Sequence, residues 1–402
     1  MKYLKLFENF EVVEPIDYGN PLNNKEINFL KGYNVMCSEW ILKDDNYYYI
    51  FDHRCENIKD VPLTYINAVC KEYNIENYTI NDDYSIDVNG DVNIHRRSLT
   101  KIPLKFNKVI GYFDCERNKL TTLLGSPEYV GGGFHCYDNN LTTLEGSPKK
   151  VRTSFHCSDN KLTTLEGGPT YVGGNFYCKN NQLTTLEGSP KSVGYFDCSY
   201  NKLTTLLGSP KSVRNFICSN NKLTTLVGSP KYIRENFSCR DNNLTTLKGG
   251  PESVGWSFMC SNNKLVTLEG SPKYIKEDFD CSNNLLTTLE GSPKSVGNNF
   301  CCRYNKLTSL EGCPKKVGRN FDCSHNELTT LEGCVKYVSG LFQCGDNELT
   351  SLEGGPESVG GDFDCFNNPL SNHGNLSHFD FNRYLRREYK GIISGRLIVS
   401  PG

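Results

Sequence analysis

Residues 279–296, FDCSNNLLTTLEGSPKSV, are one copy of a stretch that recurs along the chain and decides its fold. The shared template is F-x-C-x-x-N-x-L-T-T-L-x-G-x-P-x-x-V, and successive copies follow at steps of 21 residues, with two steps of 20. A fixed period of this length is the signature of a solenoid, in which each copy forms one coil that stacks on the next. The template cysteines mark the coils at Cys115, Cys136, Cys157, Cys178, Cys198, Cys218, Cys239, Cys260, Cys281, Cys302, Cys323, Cys344 and Cys365.

Each kept residue of the template has a physical role inside a coil. Phe, Cys, the two Leu and Val are expected to point inward and form continuous apolar ladders, while Asn turns inward to bond unpaired backbone groups. Gly supplies a backbone angle that other residues avoid, and Pro fixes an extended segment. These residues disfavour a helix, so the return side of each coil, from Leu-Thr-Thr-Leu to Pro, is expected to be extended or turn-like.

The spacing resembles the leucine-rich repeat pattern L-x-x-L-x-L-x-x-N-x-L. Val193-x-x-Phe196-x-Cys198-x-x-Asn201-x-Leu203 matches it position for position in a 20-residue coil. The 21-residue coils carry one extra residue between Val and Phe, which we expect to bulge just before the strand. The resemblance implies a β-rich leucine-rich-repeat solenoid with a parallel sheet on its concave face and an extended or turn-like convex side.

The second half of the template, L-T-T-L-x-G-x-P, is similar to a short bacterial subtype of this family. That subtype occurs in secreted effector proteins and in proteins of large tailed phages, and residues 1–10 also resemble the start of many small phage proteins. The resemblance therefore implies a phage protein that acts on a host or virion partner. No ligase-like catalytic domain follows the repeats, as one does in some effectors.

Outside the repeats, the chain is expected to carry a cap at each end. In the first cap, residues 25–31 and 62–73 have helical spacing, and residues 40–43 with 47–51 form a predicted hairpin. The three predicted parts are an α/β N-terminal capping domain at 1–90, the solenoid of about 14 coils at 91–370, and a C-terminal cap helix with a tail at 371–402.

The two ends of the solenoid have their own signals. Residues 85–88 and 91–94 alternate around the Asn-Gly pair at 89–90, which predicts an antiparallel hairpin that seals the first sheet edge. At the other end, a capping box opens a predicted helix at 377–389. Residues 392–400 either add a strand or form a tail.

Composition excludes some classes of protein. The net charge of −2 over 402 residues argues against a general nucleic-acid binder, which is normally basic. Residues 1–10 carry charges where a signal peptide has an apolar core, and no run approaches the roughly 18 apolar residues of a membrane span. We predict neither a nucleic-acid nor a membrane partner.

The cysteine content indicates a reducing compartment. Of the 19 cysteines, 13 are one core position repeated. Equivalent residues of stacked strands lie about 4.8 Å apart, which is too wide for a disulfide's Cβ separation of about 3.5–4.5 Å, so these residues are expected to be buried free thiols. We predict a cytoplasmic location, with a place in a virion as the other possibility.

Function is expected on the residues that the template leaves free. The residue after each Phe faces the concave surface because alternate strand residues point to opposite sides. We call this row the strip; it contains Asp114, His135, His156, Tyr177, Asp197, Ile217, Ser238, Met259, Asp280, Cys301, Asp322, Gln343 and Asp364. The flanking residues Tyr112 and Tyr195 add to the aromatic start of the strip. Asp278 and Asp362 add to its acidic end.

Two constellations on the strip have alternative interpretations. His135 and His156 are expected to stack about 4.8 Å apart, which suits a shared metal or proton, or two independent exposed histidines; no third ligand is evident. The aspartates of the acidic end suit a divalent cation or a basic partner, since alternate coils separate their carboxylates by roughly 10 Å.

No nucleophile, base and orienting acid can be assembled from the sequence. We therefore predict a non-enzymatic protein-binding scaffold that uses the concave face, with no cofactor and no metal site. The alternative is a virion-associated protein that binds a surface or a carbohydrate through Tyr112, Tyr177 and Tyr195. An enzyme within residues 1–90 is the third possibility.

Overall fold

The computed structural model describes residues 39–43, 46–50, 61–370, 389 and 391–399. Its main body is a parallel-sheet β-solenoid of about 13 turns, where the sequence predicted about 14. No helix occurs within residues 91–370, so the return side consists of turns and bends, as predicted.

The strands of successive coils form a Phe-side sheet and, beside it, a row of Val-side strands that comprises two six-stranded sheets and the strands Tyr232–Ile233 and Ser253–Val254. The Phe-side sheet contains Val92–Asn93, Phe113–Asp114, Phe134–His135, Phe155–His156, Phe176–Tyr177, Ser192–Asp197, Ser212–Ile217, Phe237–Ser238, Phe258–Met259, Phe279–Asp280, Phe300–Cys301, Phe321–Asp322, Phe342–Gln343, Phe363–Asp364 and Leu397–Ile398. The Val-side strands are Tyr78–Ile80, Ile86–Val88, Phe106–Val109, Tyr129–Val130, Lys150–Val151, Tyr171–Val172, Tyr232–Ile233, Ser253–Val254, Tyr274–Ile275, Ser295–Val296, Lys316–Val317, Tyr337–Val338, Ser358–Val359 and Ile392–Ile393. Neighbours in the Phe-side sheet pair in parallel, with template positions in register.

Coil length decides whether the Val-side and Phe-side strands join. The 20-residue coils form the continuous six-residue strands Ser192–Asp197 and Ser212–Ile217, which run from the Val side to the Phe side without a break. In a 21-residue coil the extra residue breaks the strand between Val and Phe, as in Tyr129–Val130 and Phe134–His135. The extra residue was expected to bulge just before the Phe strand; the structure has bends there, which separate the Val strand from the Phe strand.

The core is a set of stacked ladders that end in aromatic caps. Ring centroids of successive ladder phenylalanines are 4.9–6.0 Å apart. Phe106 packs edge-on against Phe113 at the first end, and Tyr389 packs edge-on against Phe363 at the last. Because each buried Phe contributes about 1.5–3 kcal/mol of transfer free energy, the ladders are the main source of stability.

An asparagine ladder ties each coil to the one before it. The Asn284 carboxamide oxygen accepts the Leu265 N–H at 3.0 Å, and its Nδ2 donates to the carbonyls of Cys260, Cys281 and Ser282 at 3.0–3.2 Å. The inward role predicted for this position is confirmed.

Glycine with positive φ occupies one return-side position in twelve coils, from Gly125 to Gly354. Gly291 has φ of 87°, in the left-handed region, and a Cβ there would lie 2.6 Å from the Glu269 nitrogen of the preceding coil. A side chain at this position would therefore be strained and would also collide with the neighbouring coil.

The ladder cysteines are buried and free. Burial raises the pKa of the Cys281 thiol well above its ordinary value, with the nearby Cys301 as the next cause. Such thiols are inert, which agrees with their predicted role as small apolar residues.

In the N-terminal part, a strand pair and a helix lie close to their predicted positions, and one predicted hairpin is wrong. Glu39–Lys43 pairs antiparallel with Asn46–Ile50, and a helix covers Val61–Glu72. Residues 85–88 and 91–94 do not form a hairpin. Val88 instead pairs in parallel with Val109, and Val92 with Phe113.

The Asn-Gly pair at 89–90 is therefore the corner between the two strands of one coil. Residues 85–88 and 91–94 both pair in parallel with strands of the following coil. This pairing outweighs the preference of Asn-Gly for a hairpin turn. The Val-side edge is covered by Tyr78–Ile80, antiparallel to Ile86–Val88. At the far end, Ile392–Ile393 and Leu397–Ile398 add rungs to the two sheets. The predicted helices at 25–31 and 377–389 lie outside the described residues, apart from Tyr389.

Candidate functional site

The strip is one continuous row of half-buried side chains. Strand pairing places His135 beside His156, His156 beside Tyr177, and Tyr177 beside Asp197, and the same register continues to Asp364. The ladders beneath the row are constant, whereas the row changes from aromatic through apolar to acidic.

The first half of the strip contains a contiguous aromatic cluster. The His156 ring stacks on Tyr137 at 4.4 Å and tilts against Tyr177 at 5.1 Å, and Tyr177 contacts Tyr195 at 5.5 Å. The His135 and His156 rings meet at 81° with centroids 6.4 Å apart, so the two histidines do not stack face to face. Tyr137 was missed from the sequence because it lies in the neighbouring row, directly after a ladder cysteine.

His156 is held in its neutral form. Burial is the largest cause that lowers its pKa, from 6.5 to about 4, and the nearby His135 lowers it further. A neutral ring suits stacking on aromatic neighbours and does not favour the shared-proton interpretation of this pair.

The middle of the strip is bridged by an arginine. Arg240 extends its guanidinium across two coils, to the Met259 sulfur at 3.1 Å and the Asp280 carboxylate at 2.9 Å. Ile217, one coil before Arg240, is half-buried. The repeat pattern contains no sign of the contact between Arg240 and Asp280, because Arg240 occupies the row after Cys instead of the strip itself.

The acidic end is partly neutralised inside the protein. Besides the Arg240 contact to Asp280, Asp322 lies 4.0 Å from the Arg303 Nε, and Asp362 accepts two bonds from Arg396 at 2.8 and 3.1 Å. These contacts weaken the prediction that the whole acidic end is free for a basic partner.

Two other predicted aspartates have no arginine among their observed contacts. Asp278 accepts the backbone and side-chain N–H groups of Asn299 at 3.1 and 2.7 Å. The pKa of Asp364 is raised, first by burial and then by the neighbouring carboxylates of Asp322, Asp346 and Asp362. Asp364 therefore lies among several negatively charged neighbours.

Three strip aspartates share a local serine motif. The Ser282 hydroxyl donates to the Asp280 carboxylate at 2.6 Å, and its backbone N–H donates at 3.1 Å. The same pair of bonds joins Ser199 to Asp197 and Ser324 to Asp322. Ser282 occupies a position that the template leaves free, which favours a surface residue, but it is only 4% exposed.

The first strip aspartate has a different neighbour. Glu116 stands where Ser282 stands later, and His95 occupies the same row one coil earlier. The His95 Nδ1 is 3.2 Å from the Asp114 Oδ2, and the ligand atoms of His95, Asp114 and Glu116 all lie within 4.8 Å of one another. This cluster was missed from the sequence, although the 21-residue offset between His95 and Glu116 would have revealed it.

Tyr112, which the carbohydrate-binding alternative groups with Tyr177 and Tyr195, has no ring contact with either of them. It lines a cleft of about 480 Å³ with Tyr73, Asp91 and His95, at the N-terminal end of the strip. Only Tyr177 and Tyr195 of the predicted tyrosine trio are in contact.

Solved structures that the chain resembles include leucine-rich repeat proteins. YopM from Yersinia enterocolitica matches at 18% identity over 77% of this chain and 87% of its own, with a TM-score of 0.38. The APL1 leucine-rich repeat domain matches at 15% identity over 79% of this chain and 99% of its own, with a TM-score of 0.48. The functional domain of InlJ from Listeria monocytogenes, which includes a cysteine ladder, matches at 22% identity over 69% and 68%, with a TM-score of 0.35.

All three TM-scores are below 0.5, so the fold is assigned from the coils themselves. No protein-family model matches the chain, and no curated protein sequence matches it. In the part of the chain that the structure describes, no helix is long and apolar enough to cross a membrane.

Proposed function

We propose that the protein is a non-enzymatic scaffold that binds a protein partner along the strip. The observation that carries this proposal is the register of the strip: its varied side chains form one row over ladders that do not vary. Such a row offers an extended contact surface without a single pocket. It is the arrangement that a solenoid uses to bind an elongated partner.

The chemistry of the strip indicates how the partner is oriented. Tyr177 and Tyr195 offer rigid aromatic faces near the first end, where they can anchor apolar side chains. Asp278 and Asp364 offer carboxylates near the other end, where a basic segment is favoured. The partner is therefore expected to present an apolar segment and a basic segment in that order along the coils.

Selection of a displayed random-peptide library on the full chain tests this proposal for a partner of any sequence. Selected peptides should lose binding to Tyr177→Ser and to Asp364→Asn, which change the two ends of the strip. Serine is compatible with the position of Tyr177, because Ser238 occupies the equivalent position three coils later. The matched control is Glu290→Gln, an exposed return-side change that should leave binding intact. Peptides that lose binding only to the control would place the working surface on the return side.

A carbohydrate-binding role on a virion surface is the second candidate. The observation in its favour is the contact between Tyr177 and Tyr195, whose rings offer adjacent apolar faces. Glycan-array binding that Tyr177→Ser abolishes would support this candidate, whereas an absence of glycan binding together with strip-dependent peptides would favour the protein scaffold.

We also propose a phage origin and a reducing compartment. The first rests on the similarity of the L-T-T-L-x-G-x-P half to repeats in large tailed phages, and the partner would then be a host or virion protein. The second rests on the free ladder thiols. Mass spectrometry of infected cells and of purified virions tests the phage origin by detecting the protein there. Blocking of thiols before lysis tests the reducing compartment, because it shows whether the ladder cysteines are reduced in the cell.

A further inference from the structure

Comparison among the coils isolates one site that departs from the repeat. In the coils of Asp197, Asp280 and Asp322, a serine two residues later donates its hydroxyl to the strip carboxylate. In the first coil Glu116 replaces that serine. The Glu116 backbone N–H still donates to Asp114 at 3.0 Å, but its side chain adds a second carboxylate instead of a donor.

The two carboxylates are poorly hydrated. Glu116 is 8% exposed, and the Asp114 side chain is 13% exposed. Placing two negative charges together out of water is unfavourable unless a cation, a proton or hydrogen-bond donors offset the charge. Among the cations observed nearby, Arg117 lies 4.0 Å from Glu116 and is shared with Asp138 at 3.8 Å, and His95 contacts Asp114.

We propose that His95, Asp114 and Glu116 form a binding site for a divalent transition metal of the zinc type. Imidazole nitrogen and carboxylate oxygen are ligands that such ions accept. Two ligand atoms of a tetrahedral zinc ion lie roughly 3.4 Å apart, given metal–ligand distances of about 2.0–2.2 Å. The observed separation of 3.2 Å between His95 and Asp114 is close to that value, and Glu116 needs only a small side-chain shift.

The backbone explains why these three groups converge. His95 and Glu116 are equivalent residues of adjacent coils, so the stack brings them side by side. Asp114 and Glu116 are two residues apart on one strand end, so they face the same side. Three protein ligands leave at least one coordination position for water or for a donor group of a bound molecule. Ion binding does not depend on whether the strip binds a partner.

Titration of the metal-depleted full chain with Co²⁺, followed by displacement with Zn²⁺, tests the site. One Co²⁺ ion should bind per chain, with the weak visible absorption of nitrogen and oxygen ligands and without the intense near-ultraviolet band of thiolate ligands. Glu116→Ser should weaken binding by at least about tenfold, because loss of a supporting group alone typically costs about 10–100-fold. This variant restores the serine of other coils and should fold normally.

The matched control is His325→Gln. His325 lies 3.3 Å from the Asp346 carboxylate, so it forms a histidine–aspartate pair outside the proposed site. This variant should bind Co²⁺ as the unmodified chain does. Zn²⁺ should raise the melting temperature of the unmodified chain and of His325→Gln, but not of Glu116→Ser. A thiolate-type spectrum, an absence of binding, or equal binding by Glu116→Ser would overturn the proposal.

Discussion

Replacement of Asn284 by Ala probes the ladder that holds adjacent coils together. The three carbonyls that the Asn284 side chain bonds each keep another donor: Asn263 for Cys260, Asn305 for Cys281, and the Asn262 backbone N–H for Ser282. The Leu265 N–H has no second observed acceptor. The substitution therefore leaves one buried donor without a partner.

An unsatisfied buried donor costs about 1–3 kcal/mol, and we expect a loss of this size in the free energy of unfolding. Asn284→Asp should cost more, because its carboxylate keeps the Leu265 bond but repels the three carbonyl oxygens that Nδ2 had bonded. Thr287→Ala is the matched control, since Thr287 is exposed and belongs to the same coil.

Urea unfolding followed by circular dichroism measures the free energy of unfolding of the three variants. Hydrogen exchange measures the protection of the Leu265 amide directly. Solenoids can unfold coil by coil, so the exchange data show whether the loss is local. The reasoning is refuted if Asn284→Ala and Thr287→Ala agree within about 0.5 kcal/mol, or if protection of the Leu265 amide does not change.

Three further predictions concern the thiols, pH and the first sheet edge. A thiol reagent should label no more than six of the 19 cysteines of the native chain, since 13 are ladder residues, and rapid labelling of more would contradict the buried ladder. The pKa of folded His156 is about 4, whereas the unfolded residue titrates near 6.5. The free energy of unfolding should therefore fall as pH decreases from about 6.5 toward 4, and melting curves of His156→Tyr should lack this part of the pH dependence. A chain that starts at Asp91 exposes the Phe106–Val109 edge and should self-associate in light-scattering measurements. A chain that starts at Asn77 keeps Tyr78–Ile80 over the edge and should remain monomeric. If the chain that starts at Asp91 is also monomeric, this edge needs no cover.

Local sequence was a poor guide where a stacked neighbour competed with it. The Asn-Gly pair at 89–90 has the composition of a hairpin turn, yet both flanking segments join parallel sheets. Ser282 occupies a position that varies in type among the coils, which suggested a surface residue, but its hydroxyl is buried against Asp280. Neither the parallel pairing around residues 89–90 nor the bond between Ser282 and Asp280 can be predicted from a single copy of the template, because each depends on packing around the strand end.

The sequence by itself determined the coil, its inward residues and the order of side chains along the strip. A period of 20–21 residues leaves little freedom: each kept residue must stack on its equivalent, so the Phe, Cys and Asn ladders follow from the spacing. The tertiary structure decided which side chains meet between rows. Arg240 reaches Asp280 across two coils, and His95 meets Asp114 and Glu116, because long side chains cross the gap between stacked strands in directions that the repeat does not specify.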